Sequence, residues 1–278
     1  MSFMLRKSMD THARPAPRVA PALIIAVASG KGGVGKTFMS VTLASAFAQS
    51  GKRTLLVDGD LGLANVDVQL GIAPETDLAA VIAGWVELDD AVTPVDGGAA
   101  EGGFDVLPGR SGSGALAELP PEEVARLAAG LSALALQYDQ VVLDLGAGIE
   151  ANCMRLARAA DKALMVITDE PTSMTDAYAF IKVLRGYAPG VDPVICINQA
   201  DTRAAGQRTY EAIARACQTF LGFRPHLSGI VMRDSKVREA IRSQKTLIST
   251  DRAAQPIQDA LAIAQSLLGE GQQIQAGH

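Results

Sequence analysis

Gly30-Lys31-Gly32-Gly33-Val34-Gly35-Lys36-Thr37 fits the pattern G-x-x-x-x-G-K-[ST]. It follows an apolar run, Leu23–Ala28, and opens a helical pattern from Thr37 to Gln49, which is the strand-loop-helix setting that this pattern needs. Glycines let successive backbone N–H groups turn inward around phosphate oxygens with no Cβ in the way, and a helix N-terminus adds its positive end. Lys36 then reaches the β and γ phosphates, and the Thr37 hydroxyl ligates Mg²⁺. A plain glycine turn before a helix is the competing reading. Lys31 is a second lysine that cannot easily share phosphates already taken by Lys36, because two ammonium groups side by side are costly to bury. It suits either a role in trans, as a lysine counterpart of an arginine finger across a dimer, or that of a solvated loop lysine.

Carboxylates follow in order. Leu55-Leu56-Val57-Asp58-Gly59-Asp60 ends an apolar run, and residues two apart in a strand point the same way. Asp58 and Asp60 can therefore face magnesium and an attacking water at the carboxyl edge of a sheet, with Asp60 the better placed for the water. A turn and helix cap is the alternative. Val141-Val142-Leu143-Asp144 repeats the theme, aiming Asp144 at the magnesium shell, with Gly146 or Gly148 offering a backbone N–H to the γ phosphate. Glu150 reads equally as a helix cap. Asn198 ends another apolar run, where its amide would pair with a base or serve a turn.

Six further apolar runs, at 54–57, 104–107, 140–143, 163–167, 194–197 and 230–232, alternate with helical patterns at 37–50, 76–84, 121–137, 150–160, 174–187, 203–221, 235–244 and 255–268. That alternation predicts an α/β fold, a doubly wound and mostly parallel sheet flanked by helices. Stretches 96–103 and 108–121 read as loops. The expected organisation is a flexible arm over 1–21, one domain over 22–270 and a flexible tail over 271–278.

Composition narrows the function classes. The 278 residues are 48% hydrophobic and 20% charged, with a mean hydropathy of +0.18, which is globular. A net charge of −5 argues against coating nucleic acid by bulk charge. Residues 1–21 carry Arg6, Lys7, Arg14 and Arg18 against Asp10, so the body is more acidic than the total. Cys153, Cys196 and Cys217 are odd in number and widely spaced, which suits reduced thiols in a cytoplasmic protein rather than disulfides or zinc. The run Ala22–Ala28 is far short of the roughly 20 residues that a membrane span needs.

Taken together, the loop with Lys31, the second motif LLVDGDLGLANVDVQLG and DLGAGIE make the chain resemble the deviant Walker A ATPases of the MinD and ParA group, over about Leu23 to Leu268. Within that group it is similar to the FlhG-type (FleN-type) regulators of flagellar number, through Leu61–Asp67 running into Gly71, Glu170-Pro171-Thr172-Ser173-Met174-Thr175-Asp176-Ala177-Tyr178, and Asp234-x-x-Val237-x-x-Ala240. The resemblance implies an ATP-dependent homodimer with nucleotide sandwiched between subunits, and slow hydrolysis to ADP used as a timer. It makes Lys31, Lys36 and Asp60 catalytic. Gly30, Lys31, Gly32, Gly33, Val34, Gly35, Lys36, Thr37, Phe38, Gly148 and Asn198 hold ATP, with Asn198 on adenine. Thr37, Asp58, Asp60 and Asp144 surround Mg²⁺, partly through water. Implied protein partners are a flagellar GTPase or a transcription regulator.

Family members of this type end in a basic membrane-binding helix. Here the last helix has a stripe at Ile257, Leu261, Ala264 and Leu268, but Gln258, Asp259, Gln265 and Glu270 on or near its polar side and no Lys or Arg after Arg252. Acidic character suits anionic lipid poorly, so packing on the domain is expected, with a peripheral position at the inner membrane face as the alternative. A partition ATPase on DNA stays open through Arg203, Arg208 and Arg215 on one helix and Arg233, Lys236, Arg238, Arg242 and Lys245 on or near another. A MinD-type division-site regulator and a metabolic P-loop enzyme are the remaining readings.

Overall fold

The computed structural model describes residues 22–109 and 119–275, and for 270–275 the backbone alone. The expected arm at 1–21, most of the loop at 108–121 and the last three residues of the expected tail lie outside the described residues. Eight strands form one sheet: β1 (Leu23–Ser29), β2 (Thr54–Gly59), β3 (Thr93–Val95), β4 (Phe104–Leu107), β5 (Gln140–Ala147), β6 (Lys162–Ile167), β7 (Asp192–Ala200) and β8 (His226–Met232). Their order is β3-β4-β2-β5-β1-β6-β7-β8. All neighbours are parallel except β3 and β4. The mostly parallel, doubly wound sheet expected from the sequence is thus present. Strands buried on both faces must be apolar nearly throughout, and β2 and β6 are buried along their whole length.

The helices are α1 (Lys36–Gln49), α2 (Val66–Leu70), α3 (Leu78–Ile82), α4 (Pro121–Ala135), α5 (Ala151–Ala157), α6 (Pro171–Tyr187), α7 (Arg203–Leu221), α8 (Ser235–Arg242), α9 (Leu247–Thr250) and α10 (Gln255–Gln275). Strand alternation splits the core. Ala26 and Ala28 of β1 join the cluster that holds Leu127, Leu156, Phe180 and Ile213 of α4 to α7. Ile25 and Val27 join the other, with Phe47 of α1 and Ile257, Ile263 and Leu267 of α10. Helix α1 is buried almost all round, and two of its hydroxyls are satisfied within the helix: Thr42 and Ser45 donate to the carbonyls of Phe38 and Val41.

Three differences from the expected elements have local causes. Helix α6 starts at Pro171 rather than 174, because a proline at the first helical position has its φ already set. Strand β3 pairs antiparallel at the sheet edge, where Pro94 is tolerated, and its three residues are too few to register as an alternating run. Helix α10 runs to Gln275 instead of ending at 268.

The apolar face of α10 lies against the body, offset from the expected stripe, since Leu261 and Leu268 are only partly buried. Ile257, Ala260, Ile263, Ala264 and Leu267 are buried in the second core cluster. A Cβ added to Gly229 of β8 would stand 2.5 Å from Ile263 Cγ1, so glycine is what lets helix and strand close. Asp259, expected on or near the polar side, is buried. Its carboxylate accepts from Met232 N at 2.9 Å and Gln255 Nε2 at 2.8 Å and pairs with Arg203. A buried carboxylate is tolerated when it is paired and hydrogen-bonded in this way. Among the described residues no helix is long and apolar enough to cross a membrane.

Candidate nucleotide and switch site

Strand order reverses about β1, with β5, β2, β4 and β3 on one side and β6, β7 and β8 on the other, so the carboxyl ends of β1, β2 and β5 open onto the crevice where such sheets bind ligands. The loop after β1 carries positive φ at Gly33 (79°) and Gly35 (93°), a conformation that side chains resist. Gly35 needs glycine twice over, since a Cβ there would lie 2.4 Å from Asn198 Nδ2. Gly30 packs on α6, where a Cβ would meet the Asp176 carbonyl carbon at 2.2 Å.

A cavity of about 630 Å³ opens beside this loop, lined by Gly32, Gly33, Gly35, Lys36, Thr37 and Phe38, by Asp60 and the loop after it, and by Gly146, Glu150 and Cys153. A second cavity of about 330 Å³ adjoins it, lined by Asn198, Gln199, Met232, Arg233, Asp234 and Arg238. Gly33, Gly35, Phe38 and Ile241 belong to both walls. Two adjoining cavities, one of them at the N-terminus of α1, suit a nucleotide with its phosphates at that helix end.

Asp58 and Asp144 are register partners on adjacent strands, each 1% exposed. Burial, and for Asp58 the neighbouring Asp144 charge, push the two carboxyls up to about 7 and about 6. Lys36 and hydrogen bonds from Ser40 and Thr37 pull Asp144 the other way, the Ser40 bond being 2.8 Å. Asp58 accepts from Asn65 N and Val66 N at 3.0 Å each and from Asp60 N at 3.3 Å. It thereby caps α2 and fixes the loop after β2. Asp60 accepts from Leu63 N at 2.9 Å and Gly62 N at 3.3 Å, and reaches the cavity wall.

Among the described residues no group of three His, Cys, Asp or Glu gathers into an all-protein metal cage. One hydroxyl, Thr37, with Asp144 hydrogen-bonded to it, suits an ion that keeps waters and takes phosphate oxygens as ligands, as magnesium does. The residues fit Mg²⁺ on a nucleotide.

Not every expected residue lines the cavity beside the phosphate loop: Lys31 and Gly148 are absent from its wall, and Asn198 stands in the wall of the second cavity. Gly148, with φ at 90°, donates its N–H to the Ser29 carbonyl at 2.9 Å, so Gly146 is the glycine in the wall. Asn198 is 5% exposed and donates Nδ2 to Val34 O at 2.7 Å, while its Oδ1 accepts from Gln199 N at 2.9 Å. Gln199, left-handed at φ 57°, adds a bond from Nε2 to Gly33 O at 3.3 Å. The end of β7 therefore straps the phosphate loop by two carbonyls. Lys31 Nζ lies outside its own cavity wall and donates to Glu170 Oε2 at 2.5 Å and Thr172 Oγ1 at 3.1 Å, and its hydrogen bond and charge hold the Glu170 carboxyl below the usual carboxylate range. Ser40, Glu170, Thr172 and Gln199 were not singled out by sequence as site residues. For Glu170 and Thr172 the only signal was their place in a matching segment.

A family model for the CobQ/CobB/MinD/ParA nucleotide binding domain matches residues 25–248. The chain belongs to that family. It is 38% identical over 227 residues to the antiactivator FleN of Pseudomonas aeruginosa, covering 82% of this chain and 79% of that one. It is 29% identical over 225 residues to the flagellum site-determining protein YlxH of Helicobacter pylori, covering 80% and 74%. The structure superposes with a TM-score of 0.74 on the septum site-determining protein MinD complexed with Mg-ADP from Pyrococcus horikoshii, at 23% identity, covering 88% of this chain and 96% of that one. This family member is thus a P-loop nucleotide-binding protein similar to FleN, of a group whose members are ATPases.

The eight basic residues that kept DNA open are partly neutralised by their own fold. Arg203 pairs with Asp259, Arg233 with Asp201 and Lys236 with Asp251.

Proposed function

We propose that this protein is an ATP-switched regulator of the number or placement of flagella. It binds ATP with Mg²⁺, dimerises with the nucleotide between subunits, and hydrolyses it slowly to return to the monomer. The observation that carries this reading is the position of Lys31. It belongs to the phosphate loop, yet its ammonium lies at Glu170 and outside the cavity that Lys36 serves, as suits a cation meant for a second subunit's nucleotide. Similarity to FleN and YlxH supports the flagellar role.

In this mechanism Lys36 and the loop N–H groups bind the β and γ phosphates at the start of α1, where the helix dipole favours negative charge. Thr37 and Asp144, hydrogen-bonded to each other, would hold Mg²⁺, which when bound would supply charge neutralisation at the phosphates. Asp58 holds the loop after β2 in register, and Asp60 orients the attacking water. Lys31 of the second subunit stabilises charge that develops on the transferred phosphoryl group.

Light scattering with Mg²⁺ and ATP tests the switch, which requires a shift from monomer to dimer. A deletion strain tests the role: altered flagellar count or position is expected, with a flagellar GTPase or a transcription regulator as partner. Normal flagella with mis-segregated DNA or misplaced division would overturn it.

A further inference from the structure

We infer that Glu170 is a positioning residue for Lys31, a latch in its own subunit that sets how readily the dimer forms. The inference rests on the in-trans role of Lys31 proposed above. The contact is a built one: Glu170 is the residue before the first turn of α6, Thr172 lies in that turn, and both face the lysine. Close packing of Gly30 on the Asp176 backbone brings the start of the phosphate loop against the same helix, so Lys31 meets these partners without a long reach.

The hold is weak by construction. Side chains of Lys31 and Glu170 are 39% and 58% exposed, which leaves their attraction screened by water. The ammonium also sits at the positive end of α6, where a cation is disfavoured. Such a contact cannot lock the lysine; it makes the partner's triphosphate compete with a carboxylate. A triphosphate offers more charge than the single carboxylate of Glu170, whereas a diphosphate lacks the γ group, so the latch sharpens the distinction between the two nucleotides. An exposed ion pair of this kind favours its closed form by roughly 1.5- to fivefold. Two latches open for each dimer, so removing both lowers the dimer dissociation constant by roughly two- to 25-fold.

The test is sedimentation of the full chain with Mg²⁺ and adenylyl-imidodiphosphate, which keeps hydrolysis out of the measurement. Wild type, Glu170→Gln, Lys31→Ala and the double variant are compared, each first checked for folding by circular dichroism. Glu170→Gln should dimerise more tightly than wild type, while the same change in the Lys31→Ala background should alter nothing. An unchanged or weaker Glu170→Gln dimer beside a dimerising wild type overturns the latch and spares the in-trans reading. A shift that persists without Lys31 also overturns the latch. A monomeric wild type with a dimeric Glu170→Gln supports a latch stronger than expected. If both stay monomeric at every concentration, the in-trans reading itself falls.

Discussion

An Asn198→Ala substitution removes two hydrogen bonds at once, the 2.7 Å bond to Val34 O and the 2.9 Å bond from Gln199 N. The site is nearly closed to water, so the Val34 carbonyl loses its partner without a ready replacement. Each bond is worth a net ~0.5–1.5 kcal/mol, and together they order the loop that grips phosphate. The expected loss is therefore about 1–3 kcal/mol of binding, or roughly five- to 150-fold in affinity. Since the strap acts on the loop and not on the base, ATP, GTP and ADP should weaken by the same factor. Titration calorimetry with the three nucleotides, in variant and wild type, reads this directly. A variant that binds all three as tightly as before, or that loses only the preference between ATP and GTP, would refute the strap and return Asn198 to base recognition.

Other expectations concern separate parts of the machine. Lys31→Ala should abolish the ATP dimer while leaving monomer affinity for ADP unchanged, whereas Asp60→Ala should accumulate the dimer and stop phosphate release; light scattering and a phosphate assay measure the two. Asp58 and Asp144 sit at about 7 and about 6 in the fold, against about 3.9 for the unfolded carboxyl. Between about pH 4 and 7 the fold holds protons that the unfolded chain has released, so stability of the nucleotide-free protein falls as pH rises, by up to about 1.4 kcal/mol per pH unit for each carboxyl, and levels off above 7. Urea midpoints from pH 5 to 8 should trace that slope and Asp58→Asn should flatten it; equal slopes would place the titrating groups elsewhere. Leu267→Ala should cost about 2–5 kcal/mol because Leu267, on the inner face of α10, is fully buried. A loss under 1 kcal/mol in chemical denaturation would contradict the packed helix.

Periodicity exposed the long elements because each one buries a continuous face. It missed β3, α2 and α9, which span three, five and four residues, too few for a period to show. The phosphate loop and the carboxylates were legible because backbone geometry and charge force their residue types into a fixed local spacing. The roles of Asn198, Gly148 and Lys31 were not, since each depends on which distant group answers it: Val34 O, Ser29 O and Glu170. Asp259 misled for the same reason. A carboxylate on a helix reads as solvent-facing until an arginine from α7 and an amide from β8 are found against it.

The packing of α1 beside α10 against the sheet has a consequence for the order of events in folding. Helix α1 opens with the phosphate lysine and shares the second core cluster with Ile257, Ile263 and Leu267, more than 200 positions downstream. Contacts so remote in sequence form late and slow the rate at which a chain folds. The residues that grip phosphate are thus among the earliest made and the last to be braced. A nascent chain lacking α10 leaves that apolar helix face bare, so nucleotide affinity should emerge only once the final helix has been synthesised.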